Sequence, residues 1–320
     1  MLLSFSNIVK SILKELPAND YPVLNSRLFF ETWLNFVLDS SLSSMRDLFY
    51  RLNHTGIKVD ISTFSKASKQ RTEQTFCRIY MNLVNRLKQR RRDDNLGLFA
   101  IDSTVISLTS QLFWQQKYYQ VKLINGVDVE EGYTTECLIQ FGQENDAKYL
   151  DEVMTMIPDN SIAIMDRGYA SWNFVNQMSD AKIRFVLRIR NNMKTKFDHD
   201  KYRVVKFYDA QNNEYRLATN LTEFSDEEVA GIYSKRWQIE LLWKFLKMHL
   251  KLDHFITKNS NGVKLQIYIV LIAYLILQLI EVPPFYGNKL LEKLRYIQIF
   301  LHRHCSLIHW SYDLFPELLF

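Results

Sequence analysis

Cysteine is scarce in this chain: Cys77, Cys137 and Cys305 are all there is in 320 residues. They are odd in number, far apart and without metal-ligand spacing, which excludes a disulfide framework and a cysteine-based zinc centre and fits a reducing cytosol. A glycine-rich phosphate loop is also missing, so no nucleotide cofactor is expected. No apolar run reaches the roughly 20 residues that a bilayer span takes. The longest, IYIVLIAYLILQLI at 267–280, contains Gln278 and reads as a buried core helix, so no membrane association is expected. The opening stretch MLLSFSNIVKSILKELP has no long apolar core followed by a small-residue cleavage site, so it makes a poor signal peptide and a cytoplasmic location is expected. His249 and His254 stand five residues apart and do not share a helix face, and nothing upstream completes HRHC at 302–305 as a metal site.

What is present is an ordinary globular composition, 47% hydrophobic and 23% charged, with an uneven charge. Residues 1–95 hold 15 Lys and Arg against 9 Asp and Glu, and the remaining 225 residues hold 25 against 26. The positive excess in the first third suits an arm that faces nucleic acid, and equally a solvated basic helix end. Apolar residues there recur at three- and four-residue spacing, as in FFETWLNFVL and SMRDLFYRLN, which predicts helices. In DISTFSKASKQRTEQTFCRIYMNLVNRLKQRRR a short capped helix precedes a longer one, and Lys66, Lys69 and Arg71 are candidates to lie along DNA phosphates.

RRRDDNLG at 90–97 reads as a linker, after which the pattern changes. LFAIDSTVISL is a strand with Asp102 in its middle; KYYQVKLING and GYTTECLIQF are two more; DAKYLDEVMTMI is a helix; SIAIMD is a short buried strand ending on Asp166; ASWNFVNQMSD is a helix and IRFVLRIR a strand. Residues 191–222 alternate polar and aromatic side chains like a small hairpin, and SDEEVAGIY then opens a helix with Ser225 as its N-cap. The order is that of an α/β domain interrupted by a β-rich insertion.

A carboxylate inside an apolar strand is costly unless it is hydrogen-bonded or metal-bound. Asp102 within one strand, Asp166 at the end of another before Arg167 and Gly168, and Glu240 on a later helix make an all-oxygen donor set suited to Mg²⁺ or Mn²⁺. Two such ions about 4 Å apart activate a water and stabilise the leaving oxygen of a phosphodiester. Read as one helix, 233–247 places Tyr233, Arg236, Glu240 and Lys247 within about 100° of one another. That is a single file of bases around one acid, with no acidic partner for the bases. Gly168 is read as permitting a sharp turn, and Trp237 and Trp243 as packing residues.

Tyr233-x2-Arg236-x3-Glu240-x6-Lys247 resembles the Y-R-E-K signature of bacterial insertion-sequence DDE transposases of the "IS-four" family. IDST around Asp102 and DRGY at 166–169 resemble that family's first and second acid motifs, and ISTFSKASKQR and WQIELLWKFLKMHLKLD are similar to cyanobacterial members. The resemblance covers about residues 1–280.

It implies an RNase H-like (retroviral-integrase-like) catalytic domain with a small β-rich insertion, preceded by an α-helical N-terminal domain. The expected division is 1–95 as a helical DNA-binding region, 96–190 and 223–280 as the two parts of the catalytic domain, 191–222 as the insertion and 281–320 as a helical tail. Asp102, Asp166 and Glu240 are implied to bind two divalent ions, Mg²⁺ with Mn²⁺ as an alternative. Tyr233, Arg236, Lys247 and Arg167 are implied to contact DNA. The implied reaction is water attack at the transposon's terminal inverted repeats, then attack of the freed 3′-OH on target double-stranded DNA, by at least a dimer when active. Some relatives stack a flipped base on a tryptophan in the insertion; residues 191–222 hold no tryptophan, only Phe197, Tyr202, Phe207, Tyr208 and Tyr215.

Two other functions fit the same elements: a structure-specific endonuclease on this fold, and a DNA-binding relative that has lost its chemistry. The basic file argues against the first and the complete acid set against the second.

Overall fold

A computed structural model describes residues 4–18, 21, 23–54, 56–89, 96–135, 137–193, 201–208 and 211–303. The linker residues 90–95, Phe197, Cys305 and the last part of the expected tail lie outside the described residues. In chain order the elements are α1 (Phe5–Glu15), α2 (Ser26–Leu38), α3 (Met45–His54), α4 (Ile61–Gln70), α5 (Gln74–Lys88), β1 (Gly97–Ser107), α6 (Gln111–Trp114), β2 (Gln120–Asp128), β3 (Leu138–Phe141), α7 (Leu150–Met156), β4 (Ser161–Met165), α8 (Trp172–Asp180), β5 (Arg184–Arg188), β6 (Arg203–Tyr208), β7 (Glu214–Thr219), α9 (Asp226–Ser234), α10 (Trp237–Leu250), α11 (Ser260–Leu279) and α12 (Leu290–Arg303). They fall into two compact units. One holds Met1–Leu87, Thr109–Gln116 and Lys244–Phe320; the other holds Lys88–Leu108 and Lys117–Trp243.

The first unit is helical. Helix α2 is buried along almost its whole length, and its aromatic face meets α4 and α3: Phe64 lies 5.3 Å from Phe29, 5.1 Å from Trp33 and 5.1 Å from Phe49, ring centre to ring centre. Each such buried side chain stabilises the fold by roughly 1.5–3 kcal/mol. The long apolar helix expected at 267–280 is α11, 89% of whose apolar window is buried inside the protein. Its Asn259 cap accepts the Gly262 amide at 2.7 Å, and its Asn261 donates to the Ser68 and Arg71 carbonyls at the end of α4. Lys251, just past α10, takes a left-handed conformation with φ 57°. Its ammonium donates to the carbonyls of Phe36, Asp39 and Leu42 at 2.5–2.7 Å.

The second unit is built on a seven-stranded sheet of order β3-β2-β1-β4-β5-β7-β6. The central neighbours β1, β4 and β5 are parallel, and the flanking pairs are antiparallel. Because side chains alternate along a strand, β4 sends Ala163 and Met165 to one face, with Phe174 and Val175 of α8 and Val153 of α7, and Ile162 and Ile164 to the other, with Val229 and Tyr233 of α9. Both faces are thus covered, which explains why IAIM at 162–165 is apolar throughout.

The stretch read as an insertion is continuous with this sheet. Strands β6 and β7 form a hairpin whose β7 pairs with β5, so the segment extends the central sheet to its edge. Tyr202 is buried and stacks on Trp172, whereas Tyr208 is exposed.

Candidate active site

The parallel register brings the two aspartates together. Strands β1 and β4 pair as far as Ile101 opposite Met165, so Asp102 and Asp166 stand one residue past that rung, where the parallel pairing stops: β4 ends at Met165 while β1 runs on to Ser107. The carboxyl end of a parallel strand such as β4 is where open α/β sheets collect ligands. Asp102 is partly buried, and loss of hydration raises its pKa to about 6; the Ser103 amide and Arg236 oppose the rise, while Asp166 and Glu240 add to it. All three acids and Arg236 therefore act in one electrostatic neighbourhood.

The signature segment is not one helix. Helix α9 ends at Ser234 and α10 begins at Trp237. Between them the backbone tightens: the Lys235 and Arg236 amides bond to Ile232 and Tyr233 carbonyls, and the Gln238 and Ile239 amides to Lys235 and Arg236 carbonyls, each three residues back. Helix α9 starts on the expected Ser225 cap, completed by Glu228 as a capping box. The break means that no helical-wheel count from Tyr233 applies across Lys235 and Arg236. Tyr233 closes α9, Arg236 lies in the turn and Glu240 is in the first turn of α10.

Nor are the bases without acidic partners. Arg236 donates to Glu240 Oε1, and the Tyr233 hydroxyl donates to Asp166 Oδ1 at 3.3 Å. Tyr233 is buried, which with the Asp166 charge pushes its pKa up to about 12. Lys247 follows on α10 among the residues of the helical unit. Trp243 is buried as expected of a packing residue, but Trp237 is 57% exposed, because it opens α10 at the turn rather than facing the core.

Sequence reasoning missed Arg188 and Arg190. Arg188 lies 3.8 Å from Asp166 Oδ1 and its guanidinium covers the Tyr215 ring at 4.2 Å. With Arg167, Arg190 and Asn191 it lines a cavity of about 670 Å³ beside Asp166. The signal was present: residues 188 and 190 alternate at the carboxyl end of a parallel strand, where both point to one side.

Gly168 does not have a positive φ, so the turn itself does not require glycine. A Cβ there would stand 3.1 Å from Asp146 Oδ2, and close approach is the physical reason for the residue.

Among the described residues, no group of three or more His, Cys, Asp and Glu side chains is gathered tightly enough to hold a metal ion; Glu240 bonds to Arg236 and Asp166 to Tyr233. The donor chemistry nevertheless fits a hard divalent cation. Asp102 is a poorly hydrated carboxylate whose neighbours Asp166 and Glu240 raise its pKa, and a bound cation would relieve all three. His254 bonds to the Ser43 carbonyl and His249 packs on Phe245, so neither histidine belongs to this set.

In the helical unit, Lys66 and Lys69 line a groove of about 740 Å³ with Arg46 and Lys258 and no acidic residue. Arg71, the third candidate in this region, has contacts of its own within the unit. It donates to the Leu24 and Asn25 carbonyls and lies over the Tyr21 and Phe29 rings at 4.8 and 4.4 Å, so its guanidinium is committed to holding α2 and α4.

Comparison with known proteins places this chain in a family. Residues 95–276 match the transposase DDE domain. The chain is 43% identical, over 98% of its length and 99% of the other's, to a protein described as the transposase for insertion sequence element IS4SA of Synechocystis sp.. It is 26% identical over 67% of its length to a protein described as transposase y4zB of Sinorhizobium fredii, covering 69% of that chain. Among solved structures it is similar in fold to the piggyBac transposase in a synaptic complex with hairpin DNA, with a TM-score of 0.50 and 12% identity, covering 92% of this chain and 69% of that one. The sheet and its helices are thus of the RNase H-like class.

Proposed function

The chain belongs to the DDE transposase family and is a DNA transposase, and from that premise we propose how its own residues carry the reaction. Asp102, Asp166 and Glu240 hold divalent metal, two Mg²⁺ ions or Mn²⁺ in their place. When bound, the metal supplies a lowered water pKa and stabilisation of the leaving oxygen. The observation that carries the assignment is the convergence of Asp102 and Asp166 one residue past the last β1–β4 rung, with Glu240 acting on the Asp102 carboxylate.

Tyr233 and Arg236 now bond to the acids. With the carboxylates holding metal, Tyr233 and Arg236 would be free to donate to a phosphate of the transposon end. Arg167, exposed beside Asp166, and Lys247 contribute further phosphate contacts. Water adds to phosphorus at the terminal inverted repeat and the 3′ oxygen leaves as a hydroxyl. That hydroxyl then attacks a target phosphodiester and displaces the target's own 3′ oxygen, so the number of phosphodiester bonds is conserved in the second step. Lys66 and Lys69, with Arg46 and Lys258, hold the duplex through its backbone. The active form is at least a dimer, because two ends are joined in one event, and the protein works in the cytoplasm on chromosomal DNA.

The test uses full-length protein, Mg²⁺ and a duplex carrying the element's end. Wild type releases a 3′-OH end and joins it to plasmid, and Glu240→Gln abolishes both steps while end binding persists. Cleavage by that variant would remove Glu240 from the acid set; cleavage by wild type without any joining would favour an endonuclease.

A further inference from the structure

A fourth carboxylate, that of Asp146, bonds to the residue after Asp102 within β1 and lies close to the turn that follows Asp166. Asp146 opens a short 3-10 turn, Asp146–Lys148. Its Oδ2 accepts from the hydroxyl of Ser103, the residue after Asp102, at 3.0 Å. The same oxygen is the atom that a Cβ on Gly168 would approach to 3.1 Å, so Asp146 also rests on the turn that follows Asp166. Its other oxygen accepts from Lys122 Nζ of β2 at 2.7 Å, and that ammonium donates as well to the Glu144 carbonyl. Lys122 is 7% exposed.

The charges explain why this arrangement is a pair. A lone carboxylate bonded to Ser103 would add a second negative charge next to Asp102 along the same strand. Lys122 cancels that charge at hydrogen-bonding distance, and the partly buried ion pair leaves Asp146 as a neutralised strut rather than an additional ligand. Each oxygen then has a fixed role: one orders β2, and the other orders β1 next to Asp102 while resting against the turn beside Asp166. The buried Tyr169 hydroxyl reports the same proximity, since after burial the charges of Asp146 and Asp102 are the chief causes of its raised pKa.

We propose that Asp146, neutralised by Lys122, is a positioning residue that sets the spacing of the Asp102 and Asp166 carboxylates through Ser103 and Gly168. This rests on the reading of Asp102 and Asp166 as metal ligands.

The test measures Mn²⁺ binding by electron paramagnetic resonance, end-duplex binding and end cleavage on the full chain. Asp146→Asn should weaken Mn²⁺ about 10-fold, the loss typical of groups that orient metal ligands. It should slow cleavage on the order of 100-fold, as expected for a misplacement of about 1 Å, while end-duplex affinity stays within about twofold. Asp151→Asn, on the exposed side of α7, makes the same change in net charge and should leave all three unchanged. Ser103→Ala removes one tie and keeps the ion pair, and should give a smaller loss of the same kind; it decides the matter if Asp146→Asn fails to fold. Mn²⁺ affinity and cleavage at wild-type level in folded Asp146→Asn, or in Ser103→Ala when only that variant folds, would overturn the role. Asp102→Asn separates the two readings. If it leaves Mn²⁺ binding intact, the metal assignment falls and this role with it. If it abolishes binding while Asp146→Asn does not weaken it, only the role of Asp146 falls.

Discussion

Arg236 donates to the carboxylate of Glu240 four residues later, across the start of α10. The acid that stands alone among bases in the sequence is therefore paired within its own signature.

Replacing Arg236 with methionine should separate binding of metal from catalysis. The variant loses the cation that competes for Glu240, so Mn²⁺ affinity should rise several-fold in the absence of DNA. End cleavage should fall by at least about tenfold, since the lost charge-assisted contact is worth roughly 1.5–3 kcal/mol. Calorimetric Mn²⁺ titration beside a cleavage time course reads both, and unchanged metal affinity would mean that the ion pair does not compete.

Tyr233→Phe removes one hydroxyl from a side chain whose ring stays packed. The bond to Asp166 is long, 3.3 Å, so urea midpoints should correspond to a loss of no more than about 1 kcal/mol. Cleavage should drop more than stability does, and equal losses would make the hydroxyl a packing feature only.

The basic residues of the helical unit should divide. Lys66→Ala with Lys69→Ala should leave the melting temperature within a degree or two but lower the salt dependence of duplex binding by about 2 in the log–log slope, at roughly 0.9 per phosphate contact. Arg71→Ala should cost about 2–3 kcal/mol, the value of a charged donor to carbonyl groups, and should not change the slope. The reverse pattern in binding isotherms between about 50 and 200 mM salt would move the DNA contact to Arg71.

Lys251 gives a pH signature. Burial lowers its pKa from 10.5 to about 8, so between about pH 8 and 10.5 the unfolded chain binds more protons at this site than the folded one, and this group's contribution to stability rises with pH across that window. Lys251→Met should abolish that rise. It should also destabilise the protein at pH 7 by about 2–4 kcal/mol, because three carbonyls lose a charged donor. Denaturation midpoints from pH 7 to 10.5 for both proteins check the sign.

Much of the catalytic fold was legible because its signals are local. The apolar run around Asp102, the short strand before Asp166 and the Ser225 cap each lie where strand alternation and capping rules place them. The hairpin at 203–219 was read as strands, but its pairing with β5 was not readable, since partner choice depends on contacts distant in the chain. The break at Lys235 and Arg236 was hidden for another reason. Neither residue is a helix breaker, and the turn shows only in the backbone bonds that Lys235, Arg236, Gln238 and Ile239 make three residues back. Arg188, Arg190 and Asp146 carry no motif of their own and matter only because of where the sheet and its turns deliver them.

The sequence by itself determined which chemical groups are present: three acids in an oxygen-only set, the Tyr, Arg and Lys of the signature, and a basic first third. Composition and spacing suffice for that because those properties belong to residue types. Tertiary structure alone decided which of these groups act on one another. The parallel register put Asp102 beside Asp166, the turn before α10 gave Arg236 to Glu240, and the packing at the end of α4 bonded Arg71 to the Leu24 and Asn25 carbonyls while leaving Lys66 and Lys69 along a groove. Those outcomes depend on distances between residues tens of positions apart, and such distances are fixed only when the strands pair and the helices pack.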